Sequence, residues 1–422
     1  MDEGIALVYS VGIGEQCYGL FGFYSSYLCI MFSTTQKIGI LGGGQLGKML
    51  CLAAANWDFK TYILDPAPDC PASQVCTEST VGDFNDYEDV MAFGRDKDLI
   101  TIEIEHVNTD ALRALQRMGK IVHPSPDVLD IIKDKGLQKL FYRENNIPTA
   151  HFEIFENEQA LREAVLSGRW PLPLVQKTRT AGYDGKGVAV LRTLQDLETK
   201  LLPGPCLAEV LADIQVEIAV IAAQNPTGDV AVFPAVEMEF HPEANLVEFL
   251  LCPARVSSLV EAEAEALAER VIRTLHLCGL LAVEMFLTHA GELLVNECAP
   301  RPHNSGHHTI DSANTSQFEQ HLRAMMDLPL GTGTQKVAAA VMINLLGEAG
   351  HKGPVHYEGA AQCLALEGVH LHLYGKAQTS PFRKMGHATI TADSVEWAIK
   401  KADFVKQHLK VLAQQPTLKT SN

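Results

Sequence analysis

Residues 175–190 read Val175-Gln176-Lys177-Thr178-Arg179-Thr180-Ala181-Gly182-Tyr183-Asp184-Gly185-Lys186-Gly187-Val188-Ala189-Val190. An apolar run ends in Lys177, a glycine-rich segment follows, and a second apolar run begins at Val188, which predicts two strands joined by a flexible loop. Gly182, Gly185 and Gly187 let backbone amides approach an anion, while Lys177, Arg179 and Lys186 bring positive charge to it. A phosphate-binding P-loop would pass from its glycines into a helix. Here the chain returns to a strand, so the segment reads as a lid that folds over the phosphates of a nucleoside triphosphate. The competing reading is a basic surface hairpin.

Downstream, Leu281 to Thr288 and Glu292 to Cys298 are apolar strands around His289-Ala290-Gly291, a hairpin signal. Pairing Thr288 with Leu293 sets Glu284 directly opposite Glu297. Like charges facing each other across a ladder repel, so this placement points to a shared cation. Magnesium suits it, because that ion uses one or two carboxylates and completes its shell with phosphate oxygens and water. A register slip of one residue would leave two solvated edge glutamates instead.

The chain has 422 residues, enough for two or three domains, and a formal charge of −17, which excludes nucleic acid and an anionic membrane as partners. Ten cysteines without a Cys-x-x-Cys pair fit free thiols in a reducing, cytoplasmic setting better than a disulfide framework or zinc site. Residues 1–36 form an apolar leader without Lys or Arg; Asp2 and Glu3 argue against a secretory signal, and Glu15 with Gln16 against a membrane span. Translation is expected to begin at Met31.

Lys37 to Leu41 runs as a strand into Gly42-Gly43-Gly44-Gln45-Leu46-Gly47 and a helix, with Asp65 ending the next strand. Alone, that fingerprint would suggest a nicotinamide oxidoreductase. With the ATP features elsewhere, a nucleotide-fold domain whose glycine turn serves another purpose is preferred. Further strands at Leu99 to Ile104 and Lys120 to Val122 make a doubly wound sheet, with Glu103, Glu105 and His106 at a carboxyl end. Asp130 to Asn145 reads as one helix with Lys135 and Lys139 on one face. Strands end near Glu209 and carry Glu217, either of which could accept hydrogen bonds from an adenine amino group or ribose hydroxyls. Glu261 to His276 is an amphipathic helix closed by Gly279. Strands from Val337 to Leu346, Val369 to Tyr374 and Ala388 to Thr391 suggest a smaller terminal domain, with Lys376, Arg383 and Lys384 around a Ser-Pro turn.

The lid, Asn296-Glu297, and Ala299-Pro300-Arg301-Pro302-His303-Asn304-Ser305-Gly306-His307 resemble the ATP-grasp superfamily and, within it, the 5-(carboxyamino)imidazole ribonucleotide synthase family of purine biosynthesis. The resemblance implies an α/β enzyme with an N-terminal nucleotide-fold (pre-ATP-grasp) domain over 37–147, a central ATP-grasp domain over 148–334 and a small C-terminal β-rich domain over 335–422. It implies an ATP-dependent carbon–nitrogen ligase that makes carboxyphosphate from bicarbonate and carboxylates 5-aminoimidazole ribonucleotide, with ATP as co-substrate, magnesium (manganese as the alternative) and a homodimeric assembly. Carried over by position, Lys135, Lys177 and the lid Gly182, Tyr183, Asp184, Gly185, Lys186, Gly187 and Val188 contact ATP. Glu209, Val210, Leu211 and Ala212 line the adenine pocket, Glu217 lies at the ribose, His241 is a further ATP contact, and Asn296 joins Glu297. Glu284 and Glu297 hold the metal. Arg301, His303, Asn304 and Lys186 serve the chemistry, Tyr183 and Asp184 with Lys186 face the aminoimidazole, and Lys376, Arg383 and Lys384 take its ribose phosphate. Ala181 and Val188 depart from the family lid. The nearest competitors are a biotin carboxylase or a formate-dependent glycinamide ribonucleotide transformylase, which share the ATP site and differ in acceptor.

Overall fold

The computed structural model describes residues 33–180, 187–240 and 247–414. The leader to residue 32, Ala181, the lid residues Gly182, Tyr183, Asp184, Gly185 and Lys186, and His241 lie outside the described residues. All described elements fall in the unit Thr34–Asn422.

Five parallel strands open the chain, in the order Glu78–Val81, Lys60–Asp65, Lys37–Leu41, Leu99–Ile102, Ile121–Val122. The order reverses between Lys37–Leu41 and Leu99–Ile102, and the carboxyl ends of these two strands mark where doubly wound sheets place their ligand crevice. The apolar run Ile38, Ile40 and Leu41 is fully buried because helices cover both faces. Helix Gln45–Ala55 lays Leu46, Met49, Leu50 and Ala54 against one of them.

The expected single helix over 130–145 is two, Pro126–Lys133 and Lys135–Glu144. Asp134 makes the break. Its extended backbone ends the first helix, and its carboxylate accepts from the amides of Gly136 at 2.8 Å and Leu137 at 3.2 Å, capping the second. Lys135 and Lys139 remain one turn apart on the second helix and share a face, as expected.

A four-stranded antiparallel sheet follows, ordered Phe152–Phe155, Cys206–Val210, Leu174–Thr178, Val188–Leu191. Lys177 pairs with Val188, so the strands flanking the lid segment are joined as the sequence predicted.

A nine-stranded sheet then carries Leu293–Ala299 at one edge, next to Gly279–Thr288, Ile214–Gln224, Val236–Phe240 and Val247–Cys252. Helix Ser258–Leu275 covers it with Ala264, Leu267, Ala268, Val271 and Ile272, all in the largest core cluster. Its end differs from expectation: His276 adopts the left-handed conformation (φ 50°) and closes the helix, while Gly279 already begins the next strand. The strands Ala339–Leu346, Lys384–Ala392 and Val369–Leu373 extend this same sheet through the pairing of Ala339–Leu346 with Val247–Cys252. The terminal region therefore continues the central sheet, and a separate three-stranded sheet (Gln378–Thr379, Gly353–Glu358, Lys410–Ala413) completes it.

Candidate active site

The two sheets and the helix Lys135–Glu144 meet at a polar cleft. From the four-stranded sheet, the Lys177 ammonium donates to Asn296 Oδ1 at 2.7 Å and lies 3.1 Å from Glu209 Oε1. From the helix, Lys139 reaches the same Glu209 oxygen at 3.3 Å, and Lys135 pairs with Glu297. Lys139 and Glu209 are almost wholly buried. Burial would raise the Glu209 carboxyl, but Lys177 and Lys139 hold it below the usual range. Burial pushes Lys139 down to about 8. Glu209 is thus no solvated strand end: its carboxylate is taken up by two lysines, and through them it shapes the cleft. Val210 is exposed, and Leu211 and Ala212 are half-buried on the link that crosses from this strand to Ile214–Gln224.

Glu284 stands opposite Glu297, as expected, but the register reaches that pairing differently. Leu287 faces Leu293 and Met285 faces Val295; the ladder then slips by one residue, leaving Asn296 as a bulge, and resumes with Glu284 against Glu297. A bulge re-aims side chains, and this one sends Asn296 toward Lys177. The neighbouring strand adds a third acid, because Glu217 pairs with Phe286 and so lies diagonal to Glu284 on one face. Burial, then the charges of Glu297 and Glu217, raise Glu284 above the ordinary carboxyl range. For Glu297, burial is overcome by Lys135 and Lys177, which hold it low. Burial with the Glu297 charge takes Glu217 to about 7. Glu284 and Glu217 therefore hold on to protons toward neutral pH while Glu297 stays charged, a state that a divalent cation would relieve.

The segment from Arg301 to His307 connects this cleft to the crevice of the parallel sheet. Arg301 lies 2.7 Å from Glu105 Oε1 in the crevice, and His303 Nε2 lies 3.4 Å from Glu284 Oε1. Ser305 donates its amide to His303 Nδ1 at 3.3 Å, which makes Nδ1 an acceptor and leaves the neutral ring's proton on Nε2, facing Glu284. Arg301 Nε and Asn304 Oδ1 are buried without a hydrogen-bond partner among the described residues. A stretch of four residues thus holds an unspent donor and an unspent acceptor.

Lys376 donates to Gln45 Oε1 at 2.9 Å and to the Lys384 carbonyl at 2.7 Å, which brings the terminal region onto the glycine turn at the crevice. Lys384 is near enough to bear electrostatically on His307. Arg383 is exposed and donates to the Gln378 carbonyl at 2.6 Å in its own turn. Arg179 departs from expectation: its guanidinium pairs with Asp134 and its carbonyl accepts from Lys135 N at 2.8 Å, so it anchors the lid's first strand. Of the described lid residues, Gly187 (φ 81°) accepts from Thr178 N at 2.9 Å and Val188 is partly exposed at the sheet edge.

The glycine fingerprint has a partner that the sequence reading did not assign. Glu103 accepts from the amides of Gly44 and Gly47, each at 3.0 Å, and a Cβ on Gly42 would come within 2.5 Å of its side chain. The place at the helix start where a dinucleotide's pyrophosphate would bind is filled by a carboxyl group. Glu103 thus occupies the anion position that the oxidoreductase reading needs free.

Comparison with known proteins agrees across the chain. A ribonucleotide synthetase preATP-grasp domain matches residues 35–133, an ATP-grasp domain residues 140–318, and a phosphoribosylaminoimidazole carboxylase C-terminal domain residues 340–401. The N5-carboxyaminoimidazole ribonucleotide synthase of Bacillus subtilis is 38% identical over 355 residues, 83% of this chain and 90% of that protein. The phosphoribosylaminoimidazole carboxylase of Saccharomyces cerevisiae is 38% identical over 384 residues, and this chain spans 66% of its length. Among solved structures, the N5-carboxyaminoimidazole ribonucleotide synthetase of Thermotoga maritima superposes with a TM-score of 0.82 at 41% identity, covering 90% of this chain and 100% of that one. The Aspergillus clavatus N5-carboxyaminoimidazole synthase, in complex with ADP and 5-aminoimidazole ribonucleotide, gives 0.80 at 30% identity over 89% of this chain and 98% of that one.

Proposed function

The chain belongs to the N5-carboxyaminoimidazole ribonucleotide synthase family of ATP-grasp enzymes, and from that premise we propose that it carboxylates 5-aminoimidazole ribonucleotide with bicarbonate and ATP in purine biosynthesis. A bicarbonate oxygen attacks the γ-phosphorus and ADP leaves. The exocyclic amine then attacks the carbonyl carbon of carboxyphosphate, phosphate departs with the bridging oxygen, and the amine nitrogen gives up a proton. The observation that carries this reading is the Arg301–His303 segment, tied to Glu105 in the crevice at one end and to Glu284 in the acidic cleft at the other. One short loop therefore touches both the phosphoryl-donor and the acceptor sides of the site.

Within this reading Lys135 and Lys177 hold the triphosphate, and the lid residues Gly182, Tyr183, Asp184, Gly185, Lys186, Gly187 and Val188 close over it. The link Glu209 to Ala212 borders the adenine, with Glu217 toward the ribose. Glu284 and Glu297, opposite each other on paired strands, suit magnesium, which uses one or two carboxylates and would take its remaining ligands from phosphate and water, with Asn296 beside them at the nucleotide. Bound magnesium would neutralise charge on the transferring phosphoryl group. Arg301 and Asn304 match bicarbonate, which needs a donor for its oxygens and an acceptor for its hydroxyl. The Nε2–H of His303 points where negative charge accumulates. Carboxyphosphate hydrolyses readily, and lid closure would exclude the water that destroys it. Lys376, Lys384 and Arg383 take the ribose phosphate, with Lys376 the best placed of the three.

The functional division is 37–147, 148–334 and 335–422. Among the described residues no helix is long and apolar enough to cross a membrane, and eight cysteines are free thiols, which suits the reducing cytoplasm. Homodimer formation rests on the family likeness and is open to sedimentation analysis. ADP formation assayed with each reactant omitted in turn tests the function: it should require both bicarbonate and 5-aminoimidazole ribonucleotide. Turnover that follows formate or biotin instead would overturn it.

A further inference from the structure

The loop that places Arg301, His303 and Asn304 has no regular structure beyond one short turn at Asn304–Gly306. Something else must hold it. Gln317, fully buried at the start of helix Gln317–Met325, makes the contacts. Its Oε1 accepts from His303 N at 2.8 Å, and its Nε2 donates to His303 O at 2.8 Å. Both backbone groups of His303 are therefore satisfied by one side-chain amide, in the way a neighbouring strand would satisfy them. The fit is close: a Cβ on Gly306 would lie 2.4 Å from Gln317 Oε1, so that position takes glycine, and Gln317 N donates to Thr309 Oγ1 at 2.9 Å, whose hydroxyl contacts Gly306 O.

The same amide orients a second imidazole. Because the His303 N–H identifies the oxygen of Gln317, the other end of the amide is its NH2 group, and this lies 3.1 Å from His307 Nδ1. Nδ1 must then accept, and the neutral His307 ring carries its proton on Nε2. His307 is fully buried between Phe318 and His387, with ring centroids at 6.0 Å and 4.7 Å. His303, Lys384, His372, His308 and His387 surround it with donors and potential positive charge. Burial first, then the potential positive charge of His303, Lys384, His372 and His308, holds the imidazole well below its usual range, so the ring whose Nδ1 faces Gln317 is neutral.

We infer that Gln317 is a positioning residue for the carboxylation site: it clamps the backbone of His303 and fixes His307 as the neutral Nε2–H tautomer, so that Arg301, His303 and Asn304 arrive preformed. The inference rests on the proposed reaction for its kinetic consequence and on hydrogen bonding alone for its tautomer. Gln317→Glu keeps the shape but replaces the NH2 donor by an acceptor, which repels the His303 carbonyl and invites a proton onto His307 Nδ1. Gln317→Leu removes both functions.

Nitrogen-15 NMR of histidine-labelled protein, with the His307 signal assigned by its loss in His307→Asn, tests the tautomer without any turnover. His307 should show a protonated Nε2 and an unprotonated Nδ1 from pH 6 to 8, and Gln317→Glu should move the proton onto Nδ1. An Nδ1–H ring in the wild type, or one that titrates as a free histidine, overturns the inference. In steady-state assays Gln317→Leu and Gln317→Glu should each lose on the order of 10²-fold in kcat, as expected for reacting groups misplaced by about an ångström. ADP affinity should stay within about two-fold, since Gln317 does not contact Lys135, Lys177 or Glu297. Equal loss of ADP binding, or unchanged kcat, contradicts it. If the wild type showed no bicarbonate-dependent turnover, the proposed function would fall while the NMR result still decided the tautomer.

Discussion

Lys177 stands between an acid of its own sheet and an amide of the facing one, so its charge is committed before any ligand arrives. Replacing it with methionine keeps the stem and removes that charge. A charge-assisted hydrogen bond contributes about 2 kcal/mol, so ADP affinity measured by calorimetry should fall about thirty-fold. An unchanged affinity would remove Lys177 from the nucleotide site. The acids make a second prediction. In the ion-free protein Glu217, taken to about 7, and Glu284, raised by burial and by the charges of Glu297 and Glu217, bind protons that the unfolded chain has released by about pH 5. The folded state then holds more protons than the unfolded one, and stability must fall as pH rises through that window. Thermal unfolding should show this decline from about pH 5 to pH 7, and Glu284→Gln should flatten it. Magnesium binding should accordingly release protons, visible as a dependence of the calorimetric heat on buffer ionisation. Lys177, Glu284 and Glu297 were legible because charge in an apolar strand is conspicuous. Gln317 was not, because a neutral amide at a helix start gives no signal until the loop it holds is folded beside it.

At the scale of the element, the hairpin shows how a sequence reading can reach the right pairing through an incomplete register. Strict two-residue alternation has no room for Asn296 as an extra residue, yet the bulge there compensates the tighter turn and restores Glu284 against Glu297. The helix break at Asp134 escaped a periodicity argument because the apolar pattern continues through it, and the carboxylate that caps the second helix also holds Arg179. The glycine turn was legible as a motif, but its occupant was not, since Glu103 lies 59 residues from Gly44 in the chain. Gly42 sits at φ 96° with Glu103 against it. Gly42→Ala should therefore destabilise the fold by about 1–3 kcal/mol through backbone strain, measured by denaturant unfolding. A neutral result would mean that the turn is looser than these contacts require.

Across the whole molecule, the terminal strands were recognised but their attachment was not. Edge pairing between Val247–Cys252 and Ala339–Leu346 leaves no mark in either sequence, yet it welds the last part of the chain to the central sheet and brings Lys376 to Gln45. In the proposed reading the acceptor end of the site draws on all three regions, whereas the phosphoryl-donor end comes chiefly from the central one. Lys376→Ala should raise the KM for 5-aminoimidazole ribonucleotide by at least about ten-fold and leave ADP affinity within about two-fold. Equal losses for both ligands would refute that division. Phosphorylation of bicarbonate before it carboxylates the amine can be followed by rapid turnover with oxygen-18 bicarbonate and mass analysis of the released phosphate. Each released phosphate should carry one labelled oxygen; unlabelled phosphate during productive carboxylation would rule out carboxyphosphate as the intermediate.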